Sequence, residues 1–247
     1  MRRVVLVAVA LAGGTPTAGA AQLTPADQAV WGPRIRITPF VGQAPRVSRK
    51  ERWTVVTQAA PANSTFDVDL GMGLAAGAVL EVRAVERFSI VASGAYISRG
   101  ATREYSANGG GLFEHPGSTF FVGKVGLGIQ LREPVSEMQF RRLSASIYGG
   151  PAYIVEMPKA DPLARPVFLG RIDHVGANFG LETEMPLAGR FVALEAAVED
   201  YIVWWNDAES ARRVDIAAAE DGFVTTTIIE TDPSHMVVLR AGLVFRF

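Results

Sequence analysis

Cysteine is absent from the chain. A small exported fold built from it cannot lean on disulfides, and there is no lipobox thiol to carry a lipid anchor. Past the N-terminal segment, long apolar runs are also missing. "MGLAAGAVLEV" and "FVALEAAVEDYIVWW" are cut by carboxylates before reaching the roughly 20 residues that a membrane-spanning helix needs. Neither sign of charge is in excess: 24 Lys and Arg stand against 25 Asp and Glu, so nucleic acid is not an expected partner. Histidine is scarce, with three in all, which limits the sites for general acid–base chemistry.

What is present begins with an address. Arg2 and Arg3 precede the apolar stretch "VVLVAVALA", and "AGA" at Ala18 to Ala20 supplies small residues for cleavage. This pattern predicts a secretory signal peptide over residues 1–21, whose apolar core of about ten residues is too short to span a bilayer. A periplasmic N-terminal segment is expected over 22–33, and one domain over 34–247.

Within that domain the pattern is alternation with a period of two, the signature of strands with one apolar face. In "FFVGKVGLGIQLR", Phe121, Val125, Leu127, Ile129 and Leu131 oppose Lys124, Gly126, Gly128, Gln130 and Arg132. The same alternation recurs in "RIRITPFVG", "GMGLAAGAVLEV", "RFSIVASGAYIS", "RLSASIYGGPAYI", "DHVGANFGLETE", "FVALEAAVEDYIVWW" and "HMVVLRAGLVFRF". That makes eight strands. Connections alternate between short ones such as "PLAGR" and long ones such as "RGATREYSANGGGLFEHPG". Short turns at one end and long loops at the other predict an all-β fold, an eight-stranded antiparallel up-and-down transmembrane β-barrel with long loops extracellular and both termini periplasmic. "RRVDIAA" and "FVTTTIIE" in the last loop form either a protruding hairpin or an extra membrane pair, which would raise the count to ten. Asp200 falls by parity on the apolar face, so it belongs near the outer rim or at a bulge.

Alternation alone does not say which face is outside. The polar face decides it: it is rich in Gly71, Gly73, Gly126, Gly128, Ser144, Ser146, Gly176, Gly180 and Gly242, small residues suited to the cramped interior of eight strands. The aliphatic face then meets hydrocarbon, where only helices or closed sheets satisfy the backbone. Tyr96, Phe121, Tyr153, Tyr201, Trp204 and Trp205 lie toward the long-loop ends, and Phe88, Phe191, Phe245 and Phe247 toward the short-turn ends, as interfacial girdles would. The chain ends on Leu239, Ala241, Leu243, Phe245 and Phe247 at alternate positions. In this it resembles the OmpA/OmpX/OmpW-like group of small outer-membrane barrels. The resemblance implies that these five residues are the signal read by the barrel-assembly machinery.

Candidate chemistry lies on the interior face. Arg36, Glu81, Arg142, Glu182, Glu184 and Arg246 fall near the periplasmic ends, with Lys124, Glu195, Glu199 and Arg240 nearer the middle. Both signs are present, so the set forms either a paired plug or a salt-bridge gate. His115 is in a loop, His174 inside, and His235 on the lipid side; Ser234 and His235 are adjacent and therefore point to opposite faces, so no hydrolytic triad is expected. "GMGLAAG" and "VGKVGLG" lack the spacing of a nucleotide loop. Asp67 and Asp69 alternate in "FDVDLG" as two possible contacts for a divalent ion without the remaining ligands of a calcium loop, and the glycosylation match at Asn63 is given no role. Basic "RVSRKER" in the first long loop and the acidic last loop either pair across the barrel seam, hold lipopolysaccharide phosphates, or are merely solvated.

The expected role is structural or surface-interacting, in the outer membrane, without enzymatic activity, cofactor or metal, and as a monomer in contact with outer-membrane lipid and lipopolysaccharide. The alternatives are a narrow channel for small or apolar solutes and, third, a lipid-modifying enzyme.

Overall fold

The computed structural model describes residues 35–57, 60–85, 87–106, 112–132, 143–159, 165–188 and 191–247. The expected signal peptide, the N-terminal segment and Arg142 lie outside them. In chain order the strands are β1 (Ile35–Ala44), β2 (Val47–Val56), β3 (Pro61–Leu70), β4 (Gly73–Val85), β5 (Phe88–Arg99), β6 (Thr102–Ser106), β7 (Leu112–His115), β8 (Ser118–Arg132), β9 (Ser144–Pro158), β10 (Ile172–Ala188), β11 (Val192–Trp204), β12 (Thr226–Thr231) and β13 (Ser234–Arg246). A helix, α1 (Asp207–Glu220), precedes β12.

Eight of the strands close a barrel in the order β1-β13-β11-β10-β9-β8-β5-β4, every pair antiparallel. The last strand seals the first. Phe247 N–H donates to Ile35 O at 2.9 Å, and Arg36 sits opposite Arg246. Closure leaves no open edge, which is the condition for a sheet in hydrocarbon. Alternation sets the faces as expected: Val41, Leu74, Leu127, Phe179 and Leu181 are exposed outside, while Lys124, Glu182, Glu195, Glu199 and Arg240 are buried inside.

The long loops are not loops. The remaining strands form a second sheet in the order β12-β2-β3-β6-β7. Each continues in the chain from a barrel strand, respectively β13, β1, β4, β5 and β8, which are themselves neighbours in that order. One side of the barrel wall thus extends beyond the mouth as a protruding sheet. β2 alone carries it about 30 Å, from its ten residues at roughly 3.3 Å each.

In the last loop the structure corrects the sequence reading. "FVTTTIIE" supplies β12, which pairs with β2 outside the barrel, and "RRVDIAA" is helical, part of α1. The barrel therefore has eight strands and not ten. The helical signals were in the sequence: Asn206 caps the helix by accepting from Glu209 N–H, and Glu209 stands at the third helical position. Gly222 ends it at φ +81, with Phe223 N–H bonded to Ala218 O and Gly222 N–H to Ala219 O, a Schellman closure.

The interior is also less uniformly polar than the glycine and serine pattern implied. Its periplasmic half carries charge, but toward the mouth it is filled by Ile97, Phe120, Val122, Ile154, Val203, Met236 and Val238. Tyr201 belongs to this interior and Trp205 packs against it, so neither joins the outer aromatic girdle. Val47, Val68 and Leu70 continue the same core onto the inner face of the protruding sheet. Asp200 lies in an unbroken register with β10 and β13 and accepts from or faces His235 Nδ1 at 2.6 Å on the outer surface, a rim position and not a bulge.

Candidate functional site

The charged interior is built from inward positions of seven of the eight barrel strands. Arg36 on β1 reaches Glu81, Glu182 (3.2 Å), Glu184 and Glu195 (3.6 Å). Arg246 on β13 meets Glu184 from the other side. One layer nearer the mouth, Arg240 contacts Glu195 and bonds Glu199 through Nε at 2.9 Å, with Glu182 at 3.5 Å. Lys124 on β8 donates to Glu199 at 2.7 Å and to Asn178 at 3.1 Å. Tyr148 donates to the same Glu199 oxygen at 2.5 Å, and Tyr201 donates to the other. The result is one continuous lattice of alternating charge from Arg246 to Lys124.

Of the residues expected from the sequence, Arg36, Glu81, Lys124, Glu182, Glu195, Glu199 and Arg240 are all in this lattice. Asn178 and Tyr148 are members that the sequence reading did not single out, and Tyr201 is one that it placed in the outer girdle. Parity was the signal for the last two: Tyr148 shares a face with Ser144 and Ser146, and Tyr201 with Glu195 and Glu199. Tyr148 fits across the lumen only because residue 180 is glycine. A Cβ there would lie 2.1 Å from the Tyr148 ring.

Glu182, Glu184 and Glu195 bring ligand oxygens within 4.8 Å of one another, close enough in principle for a divalent cation. Arg36 pairs with all three, so their joint counter-ion is a side chain of the protein itself. Asp67 and Asp69 on β3 face Lys50 at 3.9 Å and Arg46 at 3.7 Å across the β2–β3 pair. The basic run of the first long loop is in this way matched by acids on neighbouring strands. Arg52 completes the match on β12's side, with Asp232 at 2.6 Å and Glu230 at 3.7 Å, so the first and last long loops do pair across the seam.

A second polar cluster sits where barrel and protruding sheet meet. Ser118 donates to one oxygen of Glu156 at 2.7 Å, and His174 Nε2 lies 3.1 Å from the other. Asn206 N–H donates to His174 Nδ1 at 3.0 Å, which leaves the ring proton on Nε2, directed at Glu156. The carboxylate, and not the imidazole, is therefore the middle member, and both ring nitrogens are engaged. Trp205 packs edge-on against His174 and receives the Arg49 guanidinium 3.9 Å from its ring centre. Arg49 in turn donates to Glu51, which also accepts from Trp53. This cluster latches β2 to the mouth.

The outward band of aliphatics decides the setting. Closed strands that expose Val41, Leu74, Val125, Leu127, Val175, Phe179 and Val198, with charges sealed inside, have hydrocarbon as their only suitable solvent. This is a transmembrane β-barrel of the outer-membrane type. Exposed Tyr96, Phe121, Tyr153 and Trp204 ring its outer interface, and Phe88, Phe191, Phe245 and Phe247 the periplasmic one.

No family model matches the chain, and no curated protein matches it in sequence. Among solved structures, Neisserial surface protein A aligns over 84% of this chain and 97% of its own, at 7% identity and a TM-score of 0.38. Ail, the attachment invasion locus protein of Yersinia pestis, aligns over 86% and 99%, at 10% identity and 0.31. The outer-membrane protease OmpT from Escherichia coli aligns over 87% and 97%, at 12% identity and 0.40.

Proposed function

We propose that this outer-membrane barrel is a non-enzymatic, surface-interacting protein with a plugged lumen, whose working part is the protruding sheet. The observation that carries the reading is the burial of the mid-lumen charges. The side chains of Arg240, Glu195 and Glu199 have 0%, 1% and 1% of their surface accessible, which supports a lumen closed to solutes at that level. The void beside Lys124, Tyr148 and Asn178 is too small to admit a water molecule. A paired lattice of this density is costly to open, because each broken pair leaves a desolvated charge. The apolar filling nearer the mouth adds a second barrier.

Among the described residues, neither serine near a histidine has a free base beside it. Ser118 and His174 meet only through Glu156, and Ser234 bonds the indole of Trp205 at 3.0 Å while His235 points outward. The protein's remaining expected partners follow from its setting: outer-membrane lipid and lipopolysaccharide along the barrel, and the assembly machinery at Leu239, Ala241, Leu243, Phe245 and Phe247 during biogenesis.

Purified protein in planar bilayers tests the plug. The expected trace is flat, and Lys124→Met keeps it flat while lowering the temperature of unfolding. Discrete conductance steps in the unmodified protein would replace this reading with that of a channel, and lipid A whose mass changes on overexpression would replace it with that of an enzyme.

A further inference from the structure

Along the outer face of the wall the residue types change twice. In the barrel this face is aliphatic, with Val41, Leu74 and Leu80 exposed to lipid. On β2, β3 and β12 beyond the mouth the same face becomes a belt of ion pairs, Lys50 with Asp67 and Arg52 with Asp232 and Glu230. At the far end it becomes apolar again. Ile228 and Val56 are exposed there, and Val56 pairs in register with Pro61 and Thr226. Phe223 and Val224, which lead into β12, are 65% and 76% exposed.

The first apolar region has the bilayer to cover it. The second does not, because roughly 30 Å of β2 and a charged belt separate it from the barrel. Surface this apolar beyond a belt of ion pairs marks a contact site.

The charges beside the tip say what kind of surface fits. α1 ends there with Glu220 followed by Asp221, and no basic residue stands in its last turn. Acidic groups at a helix C-terminus oppose the helix dipole, and here Glu220 and Asp221 share one guanidinium, that of Arg165, which also donates to Ala217 O at 2.7 Å. Arg165 offsets Asp221 at 2.6 Å, but Glu220 adds its charge to the carbonyl end of the helix. Glu220 and Asp221 beside Arg165, with Glu230 and Asp232 beside Arg52, leave an excess of negative charge next to the apolar tip, which repels anionic lipid and lipopolysaccharide phosphate and attracts cations.

We infer that the tip formed by Phe223, Val224, Ile228 and Val56, with Glu220 at its rim, docks a partner protein that offers an apolar recess bordered by lysine or arginine. This rests on the surface-interaction reading and names its site and partner class.

The test uses full-length protein in zwitterionic nanodiscs, probed with a synthetic amphipathic helix of leucine and lysine, its leucine–glutamate counterpart, and anionic vesicles, with empty nanodiscs as background. The lysine peptide binds, and the double variant Phe223→Ser, Val224→Ser weakens it about tenfold or more. Glu220→Lys weakens binding several-fold while leaving α1 as stable as before or more so, which separates recognition from folding. Binding indifferent to these substitutions, or no binding of the lysine peptide above background, overturns the proposal, and so does vesicle capture that equals peptide capture. Conductance recorded on the same nanodisc preparation after transfer to planar bilayers would instead overturn the plugged-barrel reading, independently of what the tip binds.

Discussion

Arg240 and Arg52 carry the same guanidinium, and each faces more than one carboxylate. Arg240 meets Glu195, Glu199 and Glu182 inside the barrel, and Arg52 meets Asp232 and Glu230 on the protruding sheet. The side chain of the first is 0% accessible and that of the second 48%. The contacts look alike on paper, but the medium differs. In the lumen a carboxylate that loses its arginine stays buried, whereas on the sheet it turns to water and counter-ions. One chemistry thus has two costs of disruption: inside, a broken pair leaves a desolvated charge, and outside it returns two ions to water.

Removing one partner tests this contrast most severely at Arg240. Arg240→Ala removes the guanidinium that Glu195 and Glu199 share, leaving only Arg36 at 3.6 Å to the first and Lys124 at 2.7 Å to the second, and is expected to cost about 3–5 kcal/mol, the range for breaking a buried pair. The check is the temperature at which the folded, fast-migrating band converts on a gel. Adding Glu195→Gln should return part of the loss, because Arg36 then has one carboxylate fewer to balance. A smaller drop is expected for Gly180→Val. Its Cβ would collide with the Tyr148 ring at 2.1 Å, and the ring can retreat only by surrendering its bonds to Glu199 and Arg240. Overpacking of this sort costs roughly 1–3 kcal/mol, read by the same band shift.

How much of this was legible beforehand follows from which forces act locally. Alternation is local, so the eight barrel strands, the inward set from Arg36 to Arg240 and the outward ending at Phe247 could all be read by parity. The partner of each charge could not. Arg36 meets Glu182 across the lumen, and that distance is set by strand number and stagger, not by either residue. The same limit hid the latch of Arg49, Trp205, His174 and Glu156, whose members come from four separate stretches of chain. α1 was missed for a different reason. The hairpin or membrane-pair reading joined "RRVDIAA" to "FVTTTIIE", although Asn206 and Gly222 bracket the first of these as helix caps.

The protruding region has its own acid sensitivity. Hydrogen bonds from Arg212, then from Arg213, hold the Glu209 carboxyl well below its ordinary 4.5, at about 2. A depressed carboxylate contributes stability that is fully present above its unfolded value and is lost as pH falls through the folded one. The first turn of α1 should therefore loosen as pH drops from 4.5 toward 2, seen as faster pepsin cleavage within residues 207–220. Glu209→Gln should be cut at one rapid rate across that window, and the barrel band should not shift.

The smallest effect is expected at Arg52 itself. Arg52→Ala deletes the tie between β2 and Asp232 of the last loop, but the β2–β12 backbone ladder from Glu51 to Val56 remains, and both freed carboxylates face water. Exposed pairs of this kind are screened and entropically costly to hold, so unfolding temperature should match the unmodified protein within error at physiological salt. Any difference should appear only at low ionic strength. A loss comparable to that of Arg240→Ala would mean that sheet and barrel unfold as one unit through the latch at Trp205, in which case burial would no longer be what separates the two arginines.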